Sequence, residues 1–530
     1  MKLATSLQMQ KLDRTTIEEI GVPGVVLMEN AGLGTIRALV ESFGPVDGKT
    51  VLIFVGPGNN GGDGLVVARH VLQMGGYPYL VYLVQPAKLT GDAGVNAAVV
   101  SRLTIPFSIL EKPSDLIELE HRVAELHMEH PIHSLVDALF GTGLKRPLEG
   151  RFASAVSFLN SFSARHGLPV TAVDIPSGLS ADTGEPLGCC VKVDLTVTYG
   201  LAKPGHYLHG GPDVGILHTV DIGIPPMVVD NAGLPGSLLD ASTADLLRPR
   251  GKTAHKGTCG HLLIIAGSLG KTGAAILCAQ AALRSGCGLV TLAVPAELNP
   301  IFETALPEAM TVPLPSSKTF FTNDDYREIA SLTEGKKSVV LGPGLGMNSA
   351  TEPLVYKLYT TISLPMVVDA DALNHLASAD STVTQPGGAR LLTPHPGEMA
   401  RLTGMTTREV QADRLSATQW LQKSKIAEGR EIITILKGAG TVLGSTHNQW
   451  AINSTGNNGM AAGGMGDVLS GLLGGLLAQG YSPWESARLG VYMHGLAADL
   501  LAENRSWGFT ASEVADALPD AAQILRKSYN

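Results

Sequence analysis

Asp137, Asp174 and Asp467 each stand where an apolar run meets a glycine-rich turn, a place from which a carboxylate can take or give a proton. "SLVDALFGTGLKRP" puts Asp137 at the end of one such run, ahead of a glycine loop carrying Lys145 and Arg146. "TAVDIPSGLSADTG" puts Asp174 at the end of another, with Ser177 just beyond. Acids at two successive strand ends, facing the crevice at the carboxyl edge of an open parallel sheet, suit acid–base chemistry on an anionic ligand. Each acid could equally cap the turn that follows it. "NSTGNNGMAAGGMGDVLSGLLGGLLAQG" (453–480) differs in kind. Its glycine loop opens an apolar helix, whose first amides can stabilise charge developing in phosphoryl transfer. Asp467, in the first turn, is placed to take a proton from a hydroxyl.

Two further glycine loops carry less chemistry than they suggest. "TVLIFVGPGNNGGDGLVVARHVL" (50–72) contains Gly56-x-Gly58-x-x-Gly61, the dinucleotide fingerprint, but the next strand ends "VYLVQP", with no acid to hold a ribose. An ordinary dehydrogenase is therefore disfavoured, although the amides suit an anion and Asn59, Asn60 and Asp63 add polar contacts. "IIAGSLGKTGAA" (264–275) looks like a phosphate loop, yet position 265, where that pattern needs glycine, is isoleucine. Other strand ends, "VVLGPGLG", "MVVDADALN", "LLTPHPGE" and "TILKGAGTV", offer Lys437 and the residues after it to nucleotide phosphates and His395 to a substrate. A buried histidine there would more often be structural. Asp369 and Asp371 would hold metal through water, or be hydrogen-bonded at the sheet edge.

The elements that must position these residues recur as one cassette of β-branched run, glycine turn and helix-patterned stretch. Strands are expected at 50–55, 79–84, 133–138, 170–174 and 195–199, then at 261–265, 288–294, 338–341, 365–369, 390–393 and 432–436. Runs apolar throughout indicate strands covered on both faces, hence parallel sheets flanked by helices and two three-layer α/β domains. Pro and Gly cluster in 221–250, which places the domains at 1–230 and 240–530.

Bulk properties exclude several classes. The 530 residues are too many for one core. At 44% apolar, with 5% aromatics and a net charge of −9 without a basic cluster, the chain suits neither disorder nor nucleic acid nor an anionic membrane. Five cysteines without metal spacing fit a reducing cytoplasm. No signal peptide or membrane span is expected, since the one long apolar stretch, 459–480, is glycine-rich and carries Asp467.

The motifs together carry a specific resemblance. "GPGNNGGDG", "VDALFGTGLKRP" and "VDIPSGLSADTGE" resemble the NAD(P)H-hydrate epimerase domain, which is Rossmann-like. "HKGTCGHLLIIAGS", "GPGLG", "DADALN", "TPHPGEMARL", "LKGAGTV" and "NNGMAAGGMGDVLSG" resemble the NAD(P)H-hydrate dehydratase domain, which is ribokinase-like. The order is that of the fused bacterial repair enzymes. The resemblance implies that Asn59, Asn60, Gly61, Gly62 and Asp63 hold the hydrated nucleotide. Asn60, Asp137 and Ser177 would coordinate K+. Gly141, Thr142, Gly143, Leu144, Lys145, Arg146 and Pro147 would close over the ligand, with Asp174 at the reacting ring as acid/base. In the second domain Lys437, Gly438, Ala439, Gly440, Thr441 and Gly466 would bind ADP or ATP with Mg2+. Asp467 would contact the substrate hydroxyl as the catalytic group, with Ala274, Gly344 and His395 nearby. Met465 stands where many members carry a small hydroxyl residue. The implied partners are small molecules only, NAD(P)HX and ADP or ATP, in a homo-oligomer. The rival is a ribokinase-superfamily small-molecule kinase with an accessory nucleotide-binding domain.

Overall fold

Burial decides the layering. In the computed structural model, which describes residues 1–208, 214–378, 385–423 and 430–529, the chain divides into two compact units. One comprises Lys2–Leu234, the other Pro235–Asn530 with Met1. Among the described residues no helix is long and apolar enough to cross a membrane.

The first unit has strands β1 (Thr50–Val55), β2 (Tyr77–Tyr82), β3 (Phe107–Ile109), β4 (Ile132–Ala138), β5 (Val170–Val173), β6 (Leu195–Tyr199) and β7 (Ile216–Val220). They lie in the order β3-β2-β1-β4-β5-β6-β7, all parallel. Alternate residues of β1 enter two different cores. Val51, Ile53 and Val55 face helices Gly24–Phe43 and Asn59–Gln73; Leu52 and Phe54 face Asp115–Glu129 and Arg151–His166. A strand covered on both faces is the middle of three layers, as its unbroken apolar run predicts. The strand order reverses between β1 and β4, and there the loops at their carboxyl ends part to leave a crevice. Gly56 is required at that point, because a Cβ would strike the Leu139 carbonyl of the neighbouring loop.

The second unit has strands β8 (Gly236–Leu239), β9 (His261–Ile265), β10 (Leu289–Pro295), β11 (Met310–Leu314), β12 (Ser338–Leu341), β13 (Met366–Val368), β14 (Arg390–Leu392), β15 (Ile432–Leu436), β16 (Val442–Ser445) and β17 (Trp450–Asn453). Their order is β8-β17-β16-β15-β14-β13-β12-β9-β10-β11. The six strands expected here pair in parallel, and two further strands that the sequence did not mark add antiparallel pairs. β15–β16 and β16–β17 are antiparallel, because the turn after Leu436 is only a few residues long and cannot accommodate a crossover helix. Strand β8 also falls inside the Pro/Gly-rich stretch 221–250, where no strand is expected. The stretch 459–480 behaves as its composition suggests: Met465–Ala478 is an almost wholly buried helix. It lies so close to helix Thr272–Arg284 that a Cβ at Gly471 would meet the Cys278 carbonyl.

Candidate functional sites in two switch-point crevices

In the first unit a cavity of about 500 Å³ opens at the β1/β4 reversal. Its wall includes Asn59, Asn60 and Asp63 from the start of helix Asn59–Gln73, Gly141–Leu144 from the loop after β4, and Asp174 from the end of β5. Lys145, Arg146 and Pro147 are exposed farther along that loop, and Gly61 and Gly62 face away into packing; none of the five is on the wall. Gly62, for example, abuts Met28 and Ala93. Gly141 is held close to two candidates at once. A Cβ on it would lie 2.8 Å from Asn60 Oδ1 and 3.3 Å from Asp174 Oδ2.

Asp174 is the most constrained residue of the cavity. Its backbone is left-handed at φ 66°, and its carboxylate is held from several sides. Oδ1 accepts from Lys203 Nζ at 2.6 Å and from Thr198 Oγ1 at 3.1 Å. Burial alone would raise this carboxyl, but the Lys203 ammonium outweighs it and holds Asp174 below the ordinary aspartate range. His206 completes the clamp. Its Nδ1 accepts from the Lys203 amide at 3.1 Å, so Nε2 carries the proton and donates to the Asp174 carbonyl at 3.1 Å. Burial and the nearby ammonium push His206 down to about 4, and it is neutral. Asp63, deeply buried, is raised well above the usual range by burial and by Asp174 and Asp13.

Asp137 and Ser177 meet behind this wall rather than on it. The Ser177 hydroxyl donates to Asp137 Oδ1 at 2.6 Å and accepts from the Phe140 amide at 2.9 Å, and the Ser177 amide donates to Oδ2 at 2.7 Å. The Phe140 carbonyl lies 3.2 Å from Ser177 Oγ, and Asn60 Oδ1 faces Gly141, the next residue. Carboxylate, hydroxyl, carbonyl and amide oxygens gathered from three neighbouring strand ends are the hard donors a potassium ion takes. The buried Asn60 Nδ2 has no hydrogen-bond partner among the described residues.

In the second unit the strand order reverses between β9 and β12. The "GSLGKTG" stretch lies there: the Gly267 amide donates to the Pro343 carbonyl at 2.9 Å and Ser268 Oγ to that of Gly344 at 2.9 Å. Lys271, which gave the stretch its phosphate-loop look, pairs with Asp371 at 2.9 Å. Asp371 also accepts from the Gly346 amide. Gly344 and Ala274 are neighbours, a Cβ on the former lying 3.0 Å from the latter's.

Asp369, just past β13, is almost wholly buried and ties several candidates together. It accepts from Thr393 Oγ1 at 2.7 Å, Lys437 Nζ at 2.9 Å and Ser470 Oγ at 2.7 Å. Hydrogen-bonding at the sheet edge is thus what Asp369 does. Burial works against the Lys437 ammonium, and Asp369 and Glu398 more than offset it. A Cβ at Gly466 would come within 3.1 Å of Lys437 Nζ. One residue on, burial and Asp369 push the Asp467 carboxyl up to about 6 against the pull of Lys437. The backbone after Lys437 is fixed by the Arg414 guanidinium, which donates to the carbonyls of Leu436, Lys437 and Ala439. Thr441 closes the same loop by donating to Gly438 O at 2.9 Å. His395 is not the buried histidine the sequence suggested. Its side chain is half exposed, and its Nδ1 caps helix Pro396–Thr403 by accepting from the Gly397 and Glu398 amides. Glu398, pushed up to about 7 by burial against the pull of Lys437, links that cap to Lys437 at 3.9 Å.

Sequence reasoning missed Lys203, His206 and Asp13 in the first unit, and Ser470, Glu398 and Arg414 in the second. Lys203 and His206 carried a usable signal, since "KPGH" follows the end of β6 as the other candidates follow theirs. Ser470 and Glu398 lie inside the quoted "GMGDVLSG" and "TPHPGE" stretches a few residues beyond the singled-out ones, whereas Asp13 and Arg414 come from helices without glycine loops, where nothing local marks them.

Relatives match both halves. A family model for NAD(P)H-hydrate dehydratase matches residues 262–520, and one for the YjeF-related protein N-terminus matches 24–205. The bifunctional NAD(P)H-hydrate repair enzyme of Moorella thermoacetica is 39% identical over 532 residues, covering 99% of this chain and 98% of its own. That of Thermofilum pendens is 36% identical, covering 100% and 98%. Among solved structures, the ADP/ATP-dependent NAD(P)H-hydrate dehydratase of Bacillus subtilis, co-crystallised with ATP/Mg2+, is 30% identical, covering 55% of this chain and 98% of its own at a TM-score of 0.48. With relatives aligned to it end to end, the chain belongs to the family of bifunctional NAD(P)H-hydrate repair enzymes.

Proposed function

We propose that the first unit interconverts the R and S epimers of hydrated NADH and NADPH. The second dehydrates the S epimer at the expense of ADP or ATP, giving AMP and phosphate when ADP is the donor. The observation that carries this is a switch-point cavity in the first unit lined by carboxyls in contrasting environments, and in the second unit a raised Asp467 carboxyl beside Lys437, in a chain whose full-length relatives are bifunctional repair enzymes.

Hydration leaves a hydroxyl on ring carbon six, a poor leaving group. In the second unit Asp467 takes the hydroxyl proton as its oxygen attacks the terminal phosphoryl of the donor. The amides opening helix Met465–Ala478 stabilise the transferred charge. The ring nitrogen lone pair then expels phosphate, and loss of a ring proton restores the dihydropyridine. The loop from Lys437 to Thr441, with Gly466, holds the nucleotide, and Ala274, Gly344 and His395 flank the substrate. Mg2+ accompanies the phosphates and supplies charge neutralisation there. In the first unit Asn59, Asn60 and Asp63 and the loop Gly141–Leu144 hold the hydrate, with Asp174 against the ring. Asn60, Asp137, Ser177 and the Phe140 carbonyl would hold K+, which supplies a fixed positive charge behind the ligand.

The test is recovery of reduced-nicotinamide absorbance from a mixture of R and S hydrates with ADP or ATP. Complete recovery with release of inorganic phosphate is expected. A stable phosphorylated product without recovery would establish a small-molecule kinase instead.

A further inference from the structure

The epimerase cavity contains a carboxyl that the sequence motifs do not single out. Asp13 lies near the end of helix Ser6–Arg14, immediately before a π-helical turn, Thr15–Ile20, of the kind that recurs at functional sites. Its side chain lines the cavity with Asp63, Asp174 and Lys203. Asp13 Oδ1 is buried and has no hydrogen-bond partner among the described residues, whereas Asp174 Oδ1 is engaged by Lys203, Thr198 and the Tyr199 amide. We propose that Asp13 is the group that moves the proton during epimerisation, while Asp174, clamped by Lys203 and His206, orients the ring hydroxyl as a fixed anion.

The inference rests on the epimerase reading above and assigns its proton. The Asp13 carboxylate removes the proton from the hydroxyl on ring carbon six. The O–H electron pair becomes the carbonyl π bond, and the bond from that carbon to the ring nitrogen breaks with its electrons going to nitrogen. Asp13, now a carboxylic acid, returns the proton to nitrogen. Rotation about the adjacent carbon–carbon bond presents the other aldehyde face, and the same steps in reverse close the ring as the opposite epimer. No oxidant or co-reactant is consumed.

The environments divide the roles in the same way. Burial pushes Asp13 up to about 6, with Lys203 lowering and Asp174 raising it, so near neutrality it can both accept and give a proton. The Lys203 ammonium lowers Asp174 and makes it the weaker proton acceptor, whereas burial with Asp174 and Asp13 nearby raises Asp63 well above the ordinary aspartate range. The other titratable groups facing the cavity are Asp92 and Tyr199, with His206 behind Asp174.

The full-length chain is assayed for conversion of the pure R hydrate to S by chiral chromatography without ADP, over pH 5–8, and corrected for uncatalysed interconversion. Asp13→Asn should lower kcat about 10²-fold or more, leave KM within a few-fold, abolish the acidic limb near pH 6 and leave dehydration of the S hydrate unchanged. Asp13→Glu should keep the limb, displaced along the pH axis, and recover part of the rate. Asp13→Asn with near-normal kcat and an intact limb overturns the assignment. A raised KM at unchanged kcat, or failure of Asp13→Glu to recover any rate while the variant binds hydrate, also overturns it. A wild-type chain that produces no S hydrate refutes the epimerase reading itself rather than the choice of Asp13.

Discussion

Lys437, at the carboxyl end of β15, reaches across β14 to bring its ammonium 2.9 Å from Oδ1 of Asp369, just beyond β13. The lysine expected to hold phosphates thus has a second task, compensating a carboxylate that is 1% exposed. Removing one partner of a buried pair leaves the other uncompensated, at about 3–5 kcal/mol. Lys437→Met should lower the urea-unfolding stability of the second unit by about that amount and abolish dehydration. Asp369→Asn added to it should restore most of the stability and none of the turnover.

Asp467 should show its role in the pH profile. A base pushed up to about 6 is progressively protonated below that value, so dehydration should decline as pH falls through 6 and level off above 7. Asp467→Asn should lower turnover at least 10²-fold at all pH values and leave epimerisation of the R hydrate intact. A variant retaining wild-type dehydration would remove Asp467 from the mechanism.

Gly141→Ala tests the close approach at the epimerase cavity. The added methyl would press on Asn60 Oδ1 and Asp174 Oδ2 at 2.8 and 3.3 Å. Epimerisation should fall about tenfold or more, mostly through KM, with the thermal midpoint nearly unchanged. Dehydration of pure S hydrate reports that the chain is otherwise intact.

His206 should contribute acid sensitivity to the first unit. Its folded value of about 4 lies below the ordinary 6.5, so its contribution is fully present above pH 6.5 and is lost as pH falls through about 4. The full effect is about 3 kcal/mol. His206→Gln removes the titrating ring, so its unfolding free energy should fall less than that of the wild type between pH 7 and pH 4. Equal losses in urea titrations at the two pH values would show that the ring is not neutral in the folded unit.

The central strands were legible in the sequence because burial on both faces leaves an unbroken apolar run, as in "TVLIFV" and "HLLII". Besides Gly236–Leu239 in the Pro/Gly-rich stretch, the strands it concealed are of two kinds. Phe107–Ile109, Ile216–Val220 and Met310–Leu314 are edge strands, partly exposed, so their apolar character is diluted. Val442–Ser445 and Trp450–Asn453 are buried, but Gly444 and Asn453 interrupt the pattern. The site divides similarly. Asp137, Asp174, Asp369 and Lys437 were visible because a strand end announces itself. Asp13, Glu398 and Ser470 lie on helices and reach their sites through tertiary packing, which no local spacing records. The Lys203–Asp174 and Lys437–Asp369 pairs join residues 29 and 68 positions apart.

The left-handed backbone at Asp174 sets two selective pressures against each other. An L-residue at φ 66° costs about 1 kcal/mol that glycine would not, so Asp174→Gly should relieve the backbone while deleting the carboxylate. The second unit carries a parallel case in Ala370, at φ 49° directly after Asp369. Selection for heat resistance alone would therefore favour glycine at both turns. At Asp174 it would erase function in the same step, making that position a sensor of whether a laboratory lineage is still being selected for catalysis.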